Sequence, residues 1–201
     1  MKDNALRVNV KLLLKLLVPY FSVGVFWCIF QNGWLAILAY HAQVLFWSRG
    51  AGSKLRWPNR KRMLLAALPT VLAGPLLYFL LPLVTHTDLG AWLESYKLSG
   101  GSLILMVPYF GIIHPFLEQL HWAPLREQTP ASHLFFAGYH MMVLCSFITV
   151  PWLVACFIVL ITTSVIWKQL TCRADSLYPA VLSHVLADLG VILMATLIIS
   201  G

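Results

Sequence analysis

From Gly101 to Leu117 the chain reads GSLILMVPYFGIIHPFL, with no formal charge. A helix needs roughly 17–25 such residues to cross a bilayer. The run is one of several in a chain of 201 residues that is 60% hydrophobic and only 10% charged. A soluble domain carries about 25% charged residues and could not hide this much apolar surface. The expected fold is an all-α polytopic membrane protein, because lipid offers no partner to backbone polar groups left outside a helix.

Seven spans are expected, at 12–30, 33–48, 63–85, 102–122, 132–150, 151–167 and 178–199, around a polar intramembrane cavity. The second is short enough to be tilted or partly interfacial. Gln31-Asn32-Gly33 reads as a tight turn between the first two, and Pro151 as a break between the fifth and sixth. Between spans three and four, Trp92, Leu93, Tyr96 and Leu98 predict a short interfacial helix that ends at Gly100-Gly101. No internal repeat, low-complexity tract or separate soluble domain is visible. Residues 1–201 read as one membrane-embedded domain, with accessory helices in 1–100 and the polar core in 101–200.

The net charge of +7 follows from topology. Six of the fourteen Lys and Arg residues fall in 49–62 and four in the first fifteen positions. Short basic loops stay on the cytoplasmic side, which puts the amino terminus inside. Segment 86–101 is then outside, and 123–131 and 168–176 are inside, so nearly every basic residue lands on one face. No small-residue cleavage site follows the first apolar run, so it reads as a retained span and not as a signal peptide. The expected location is an integral, multi-pass position in a bacterial inner membrane. A nucleic-acid partner is excluded, since no sizeable domain surrounds the basic patch. The four cysteines, Cys28, Cys145, Cys156 and Cys172, show neither CxxC nor ligand-like spacing.

Ionisable residues at membrane depth usually face the bundle interior and mark function. Here they are His114, Glu118 and His121 on span four, His140 on span five, and His184 and Asp188 on span seven. The i, i+4 and i, i+3 spacings put His114, Glu118 and His121 on one helical face and His184 with Asp188 on another. The topology sets Glu118, His140 and His184 at similar shallow depth from the cytoplasmic side. Such a cluster could take a proton from water and stabilise an oxyanion, which suits a hydrolase. Imidazole and carboxylate also suit Zn²⁺, although no HExxH occurs. His41, alone on span two, reads as a packing residue, and His86 and His133 as loop or interface residues.

At these positions the sequence resembles the CPBP family of intramembrane glutamic endopeptidases, also called the CAAX-protease or bacteriocin-processing family. The family's motifs are EExxxR, FxxxH and HxxxN or HxxxD. FAGYH, Phe136 to His140, fits the second, and HVLAD, His184 to Asp188, fits the third. EQLHWA, Glu118 to Ala123, fits the first in part: Gln119 stands for the second glutamate and Ala123 for the arginine. The resemblance covers about residues 102–200, and the order of the three motifs on three apolar helices carries it.

The resemblance implies that Glu118 is the base that activates a water, with His140 positioning that water. It implies that His184, oriented by Asp188, stabilises the oxyanion, and that Phe136 packs the cavity. No metal or other cofactor is then required. The implied partner is a membrane-anchored or lipidated peptide or protein, cut near its carboxy terminus, as in a protein-sorting subgroup. Gln119 could hydrogen-bond Glu118 or substrate, Arg126 could replace the missing arginine one turn on, and His121 could supply a donor. The broken first motif leaves two outcomes open, a changed substrate or lost activity. The rival readings are a non-catalytic scaffold or immunity-type protein on the same fold, a zinc-dependent intramembrane protease, and a proton-coupled transporter using Glu118 and Asp188. The transporter would be expected to carry an inverted repeat.

Overall fold

A computed structural model describes residues 10–48, 55–58, 65 and 67–200. Most of the basic stretch 49–62, together with Lys2 and Arg7, lies outside the described residues. Eight helices are found among those described: α1 Val10–Ile29, α2 Gly33–Trp47, α3 Leu68–Val84, α4 Leu89–Ser95, α5 Gly100–Gln128, α6 Ala131–Leu144, α7 Val150–Ala174 and α8 Tyr178–Ser200. Four of them, α1, α5, α7 and α8, are long and apolar enough to cross a membrane. Every extended element among the described residues is a helix, and the apolar helices suit a lipid bilayer.

The outside of the bundle is greasy and its inside is polar. Ile29, Phe79 and Val150 are 72–73% exposed, whereas Glu118 and Gln119 are fully buried. Water would not tolerate that outer surface, but hydrocarbon does, and polar groups then gather inside where they can satisfy one another.

The turn expected at Gln31-Asn32-Gly33 is present. Gln31 adopts a left-handed φ of 47°, and the Asn32 side chain caps α2 by accepting the Leu35 N–H at 3.0 Å. The short helix expected before span four is α4, capped by Asp88 through the Ala91 N–H at 2.9 Å. It ends at Ser95, however; the chain turns at Lys97 with a φ of 62°, and Gly100 opens α5 instead of closing α4. Trp92 stacks on Phe147 and Tyr96 on Trp27, so its aromatic face is held against the bundle and not only against the membrane surface. The break before α7 falls at 145–149, with Pro151 just inside the new helix, where its missing N–H costs nothing.

The fourth span is longer than expected. α5 runs on through Pro124 to Gln128, so 123–128 is helix and not loop. Arg126 lies in this last turn and is buried by partners on α5 and α7. The middle of α5 widens at Tyr109–Ile113, where the His114 N–H bonds the Tyr109 carbonyl five residues back. Pro115 follows at once, and it lacks the N–H that a regular turn would give to Gly111. The wide turn changes which way His114 and the residues after it face.

α8 packs against α3, α4, α5 and α7. Two glycines permit this. A Cβ on Gly74 would sit 2.5 Å from the Gly190 carbonyl oxygen, and one on Gly111 would sit 3.0 Å from the Leu189 Cα. Helices in lipid approach closely through such small residues. The Gly111 contact lies two turns before Glu118 on α5 and one residue after Asp188 on α8, so it sets the distance between the two halves of the site.

Candidate functional site

Glu118 lies on α5 with one carboxylate oxygen held and the other free. Oε1 accepts the Tyr40 hydroxyl of α2 at 3.0 Å and also the Tyr139 hydroxyl of α6. Tyr40 is aimed by Trp122, whose indole N–H donates to the Tyr40 oxygen at 2.9 Å, so the Tyr40 proton must turn to Glu118. Oε2 is buried and has no hydrogen-bond partner among the described residues. It faces His184 Nε2 at 3.6 Å and His114 Nε2 at 3.9 Å.

Two side chains in series decide the tautomer of His184. Arg126 Nη1 donates to Gln119 Oε1 at 2.7 Å, and Arg126 has no acceptor, so that atom of Gln119 is the oxygen. The Gln119 amide nitrogen is thereby turned to His184 Nδ1, 3.1 Å away, and donates to it. With Nδ1 accepting, a neutral His184 carries its proton on Nε2. That N–H points between Asp188 Oδ2 at 3.3 Å and Glu118 Oε2 at 3.6 Å. Trp167 stacks on the His184 ring with centroids 4.2 Å apart and holds its plane.

Arg126 is fixed in turn. Nε donates to Ser164 Oγ on α7 at 2.9 Å, and the guanidinium lies over the rings of Phe136 and Trp167 at 5.2 and 5.4 Å. Phe136 is fully buried there, against Trp122 as well. His133 also differs from the loop or interface position expected of it. It is buried in α6, with Nδ1 2.9 Å from the same Ser164 hydroxyl.

Other residues singled out in the sequence are placed differently. His140 Nδ1 donates to the Phe136 carbonyl at 2.7 Å, which leaves Nε2 as an acceptor. Its ring lies 4.1 Å from that of Tyr139, so it adjoins the hydroxyl that holds Glu118 without bonding the carboxylate itself. His121 shares the turn with Glu118 but donates to the Lys15 carbonyl of α1 at 3.0 Å, a tie between helices away from the carboxylate. His41 is not a lone packing residue, because it bonds Tyr109 and His114.

No protein-family model, curated protein or solved structure matches the chain. No group of three or more His, Cys, Asp or Glu among the described residues is arranged to hold a metal ion. What the arrangement offers is a carboxylate with one oxygen pinned by two hydroxyls and the other presented beside an oriented imidazole N–H. A base and a hydrogen-bond donor side by side suit addition of water to a carbonyl.

Tyr40, Tyr139 and His41 were missed by sequence reasoning. Each lies inside an apolar run, where a tyrosine or lone histidine reads as packing. Adjacency to His140 was the one signal available for Tyr139.

Proposed function

We propose that the chain is an intramembrane glutamic endopeptidase, similar to the CPBP family, that hydrolyses a peptide bond near the carboxy terminus of a membrane-anchored or lipidated protein. The observation that carries the reading is the buried Glu118 Oε2, without a hydrogen-bond partner and 3.6 Å from His184 Nε2. Burying an unpaired carboxylate oxygen is costly and marks a group kept for chemistry.

In this mechanism Glu118 takes a proton from a water as the water oxygen bonds to the peptide carbonyl carbon. The carbonyl oxygen becomes an oxyanion and accepts the His184 Nε2–H, with Asp188 holding the ring. Glu118 then gives its proton to the amide nitrogen as the C–N bond breaks, and the products are a carboxylic acid and an amine. His140 Nε2, free to accept, orients the water. Gln119 departs from the second glutamate of the first motif: backed by Arg126, it donates to His184 Nδ1 and so favours the tautomer with its proton on Nε2. The proposal includes seven crossings, a cytoplasmic amino terminus and a bacterial inner membrane. The 14 residues of α6 span only about 21 Å at 1.5 Å each, so that crossing requires a locally thin bilayer.

The test is cleavage of prenylated and tail-anchored peptides by purified protein in detergent, read by mass spectrometry. Wild type is expected to cut at one bond, and Glu118→Gln and His184→Phe to cut at none. Normal cleavage by Glu118→Gln overturns the glutamic mechanism. Loss of activity on chelation with recovery on Zn²⁺ selects the zinc version, and no cleavage by wild type selects the scaffold reading.

A further inference from the structure

One cluster of buried titratable groups takes no part in that mechanism. The Tyr109 hydroxyl lies 2.8 Å from His41 Nδ1, His41 Nε2 lies 3.0 Å from His114 Nδ1, and His114 Nε2 lies 3.9 Å from Glu118 Oε2. Both nitrogens of each imidazole are engaged, one toward each neighbour, so four ring nitrogens stand in series. A pair kept only for packing would need no such order, and apolar residues of the same shape would be less costly in lipid. The series ends on the one carboxylate oxygen of Glu118 that has no hydrogen-bond partner. Its other end, Tyr109, is half-buried and sits in the wide turn of α5. The three rings are held in place: Phe110 stacks on His114 at 5.0 Å, Trp34 lies 5.3 Å from Tyr109 and Tyr40 lies 5.6 Å from His41.

We propose that Tyr109, His41 and His114 form a proton-transfer chain that loads and unloads Glu118. In one state Tyr109 O–H donates to His41 Nδ1, His41 Nε2–H donates to His114 Nδ1, and His114 Nε2–H points at the Glu118 carboxylate. The His114 Nε2 proton passes to Glu118, the His41 Nε2 proton to His114 Nδ1, and the Tyr109 proton to His41 Nδ1. The chain requires that a water reach the half-buried Tyr109 hydroxyl and replace its proton. Every member of the chain ends neutral, both imidazoles have exchanged tautomer, and Glu118 has gained one proton. The reverse sequence removes it. The 3.9 Å step is longer than a hydrogen bond, and a small side-chain rotation or one bridging water closes it.

Other groups face Glu118 from every helix around it and set its proton affinity: Tyr40 on α2, Arg126 on α5, Tyr139 on α6, and His184 and Asp188 on α8. None of them bonds His41. The proposal rests on Glu118 gaining and losing protons, as peptide hydrolysis requires, but it is measured without substrate, so a failure to cleave any peptide leaves the two readings separable.

The test follows the infrared C=O band of protonated Glu118, identified by its loss in Glu118→Gln, after a rapid proton jump on the full chain in lipid nanodiscs. His41→Phe is expected to slow the appearance of the band by about 100-fold, the low end for a positioned proton donor. Tyr109→Phe, which removes one oxygen and keeps the ring, is expected to slow it too and decides the matter if His41→Phe does not fold. In His41→Ala, free imidazole is expected to restore the rate, whereas thiophene, a similar ring without N–H, does not. A wild-type rate in Tyr109→Phe and in any folded His41 variant overturns the chain. Recovery with both rings alike, or with neither, overturns it as well.

Discussion

Gln119 donates its amide to His184 Nδ1 at 3.1 Å while its oxygen accepts Arg126 at 2.7 Å, so one side chain transmits the orientation of a buried cation to the imidazole beside Glu118. The relationship makes Gln119→Glu informative. A carboxylate at 119 would accept from both neighbours, draw the His184 proton to Nδ1 and leave a lone pair facing Glu118. Nitrogen-15 NMR of His184 is expected to report the exchanged tautomer, and kcat to fall about 100–1,000-fold, the loss expected for one oxyanion donor. Unchanged kcat with an exchanged tautomer would remove His184 from the oxyanion role.

Arg126→Leu strands the Gln119 oxygen and takes one of two partners from the Ser164 hydroxyl, which keeps His133. Each buried polar group left unpaired costs about 1–3 kcal/mol, so the denaturation midpoint in mixed micelles is expected to fall clearly. Arg126→Lys should recover only part of this, because an ammonium cannot reproduce the flat fork that reaches Gln119 and Ser164 and lies over Phe136.

Tyr40→Phe and Tyr139→Phe each take one hydroxyl from Glu118 Oε1. Hydrogen bonds to an ionised group contribute about 1.5–3 kcal/mol, and each variant should lose stability on that scale. Tyr40→Phe loses more, since it also leaves the Trp122 N–H without its acceptor. A double-mutant cycle of Tyr139→Phe with Glu118→Gln checks the origin, and the two effects are expected to be non-additive. Additivity would show that the loss arises elsewhere.

Gly111→Ala places a Cβ 2.7 Å from Leu189 Cδ1 and 3.0 Å from its Cα. The side-chain atom can move, but the Cα cannot without shifting α8. The expected result is about 1–3 kcal/mol of destabilisation, with activity falling further than stability because His184 and Asp188 ride on the displaced helix. Gly101→Ala, with nothing within 4 Å of the added Cβ, is the control and is expected to leave both unchanged.

The helices were legible because charge-free runs of this length have few alternatives to helix in lipid. Each of the seven expected segments contains a helix among the described residues, but the fifth, 132–150, breaks at 145–149, and only four helices are long and apolar enough to cross by themselves. Local partners were legible too: His184 with Asp188 and His114 with Glu118 face each other because i, i+4 places them on one side of a turn. The same rule failed for His121. An i, i+3 pair spans a wide helical face, and here α1 brings the Lys15 carbonyl to one edge of it while α8 brings His184 to the other.

Sequence alone thus determined the membrane class, the helical segments and the carboxylate around which the polar groups collect. Only the tertiary structure decided which polar groups reach it. α6 and α8 are apolar nearly all round, so no stripe of hydrophobic residues says which face turns inward. Close packing at Gly74, Gly111 and Gly190 and the wide turn at Tyr109–Ile113 set the faces of α8 and α5, and Gly138 lets α6 close on Tyr20 of α1. In the packed bundle Tyr40, Tyr139 and the His41–His114 pair face Glu118, while His140 is turned to its own backbone. Arg126 shows the physical reason most directly. As a residue in a sequence it marks a loop end, and it becomes an interior group only once Gln119, Ser164, Phe136 and Trp167 from three other places in the chain close around it.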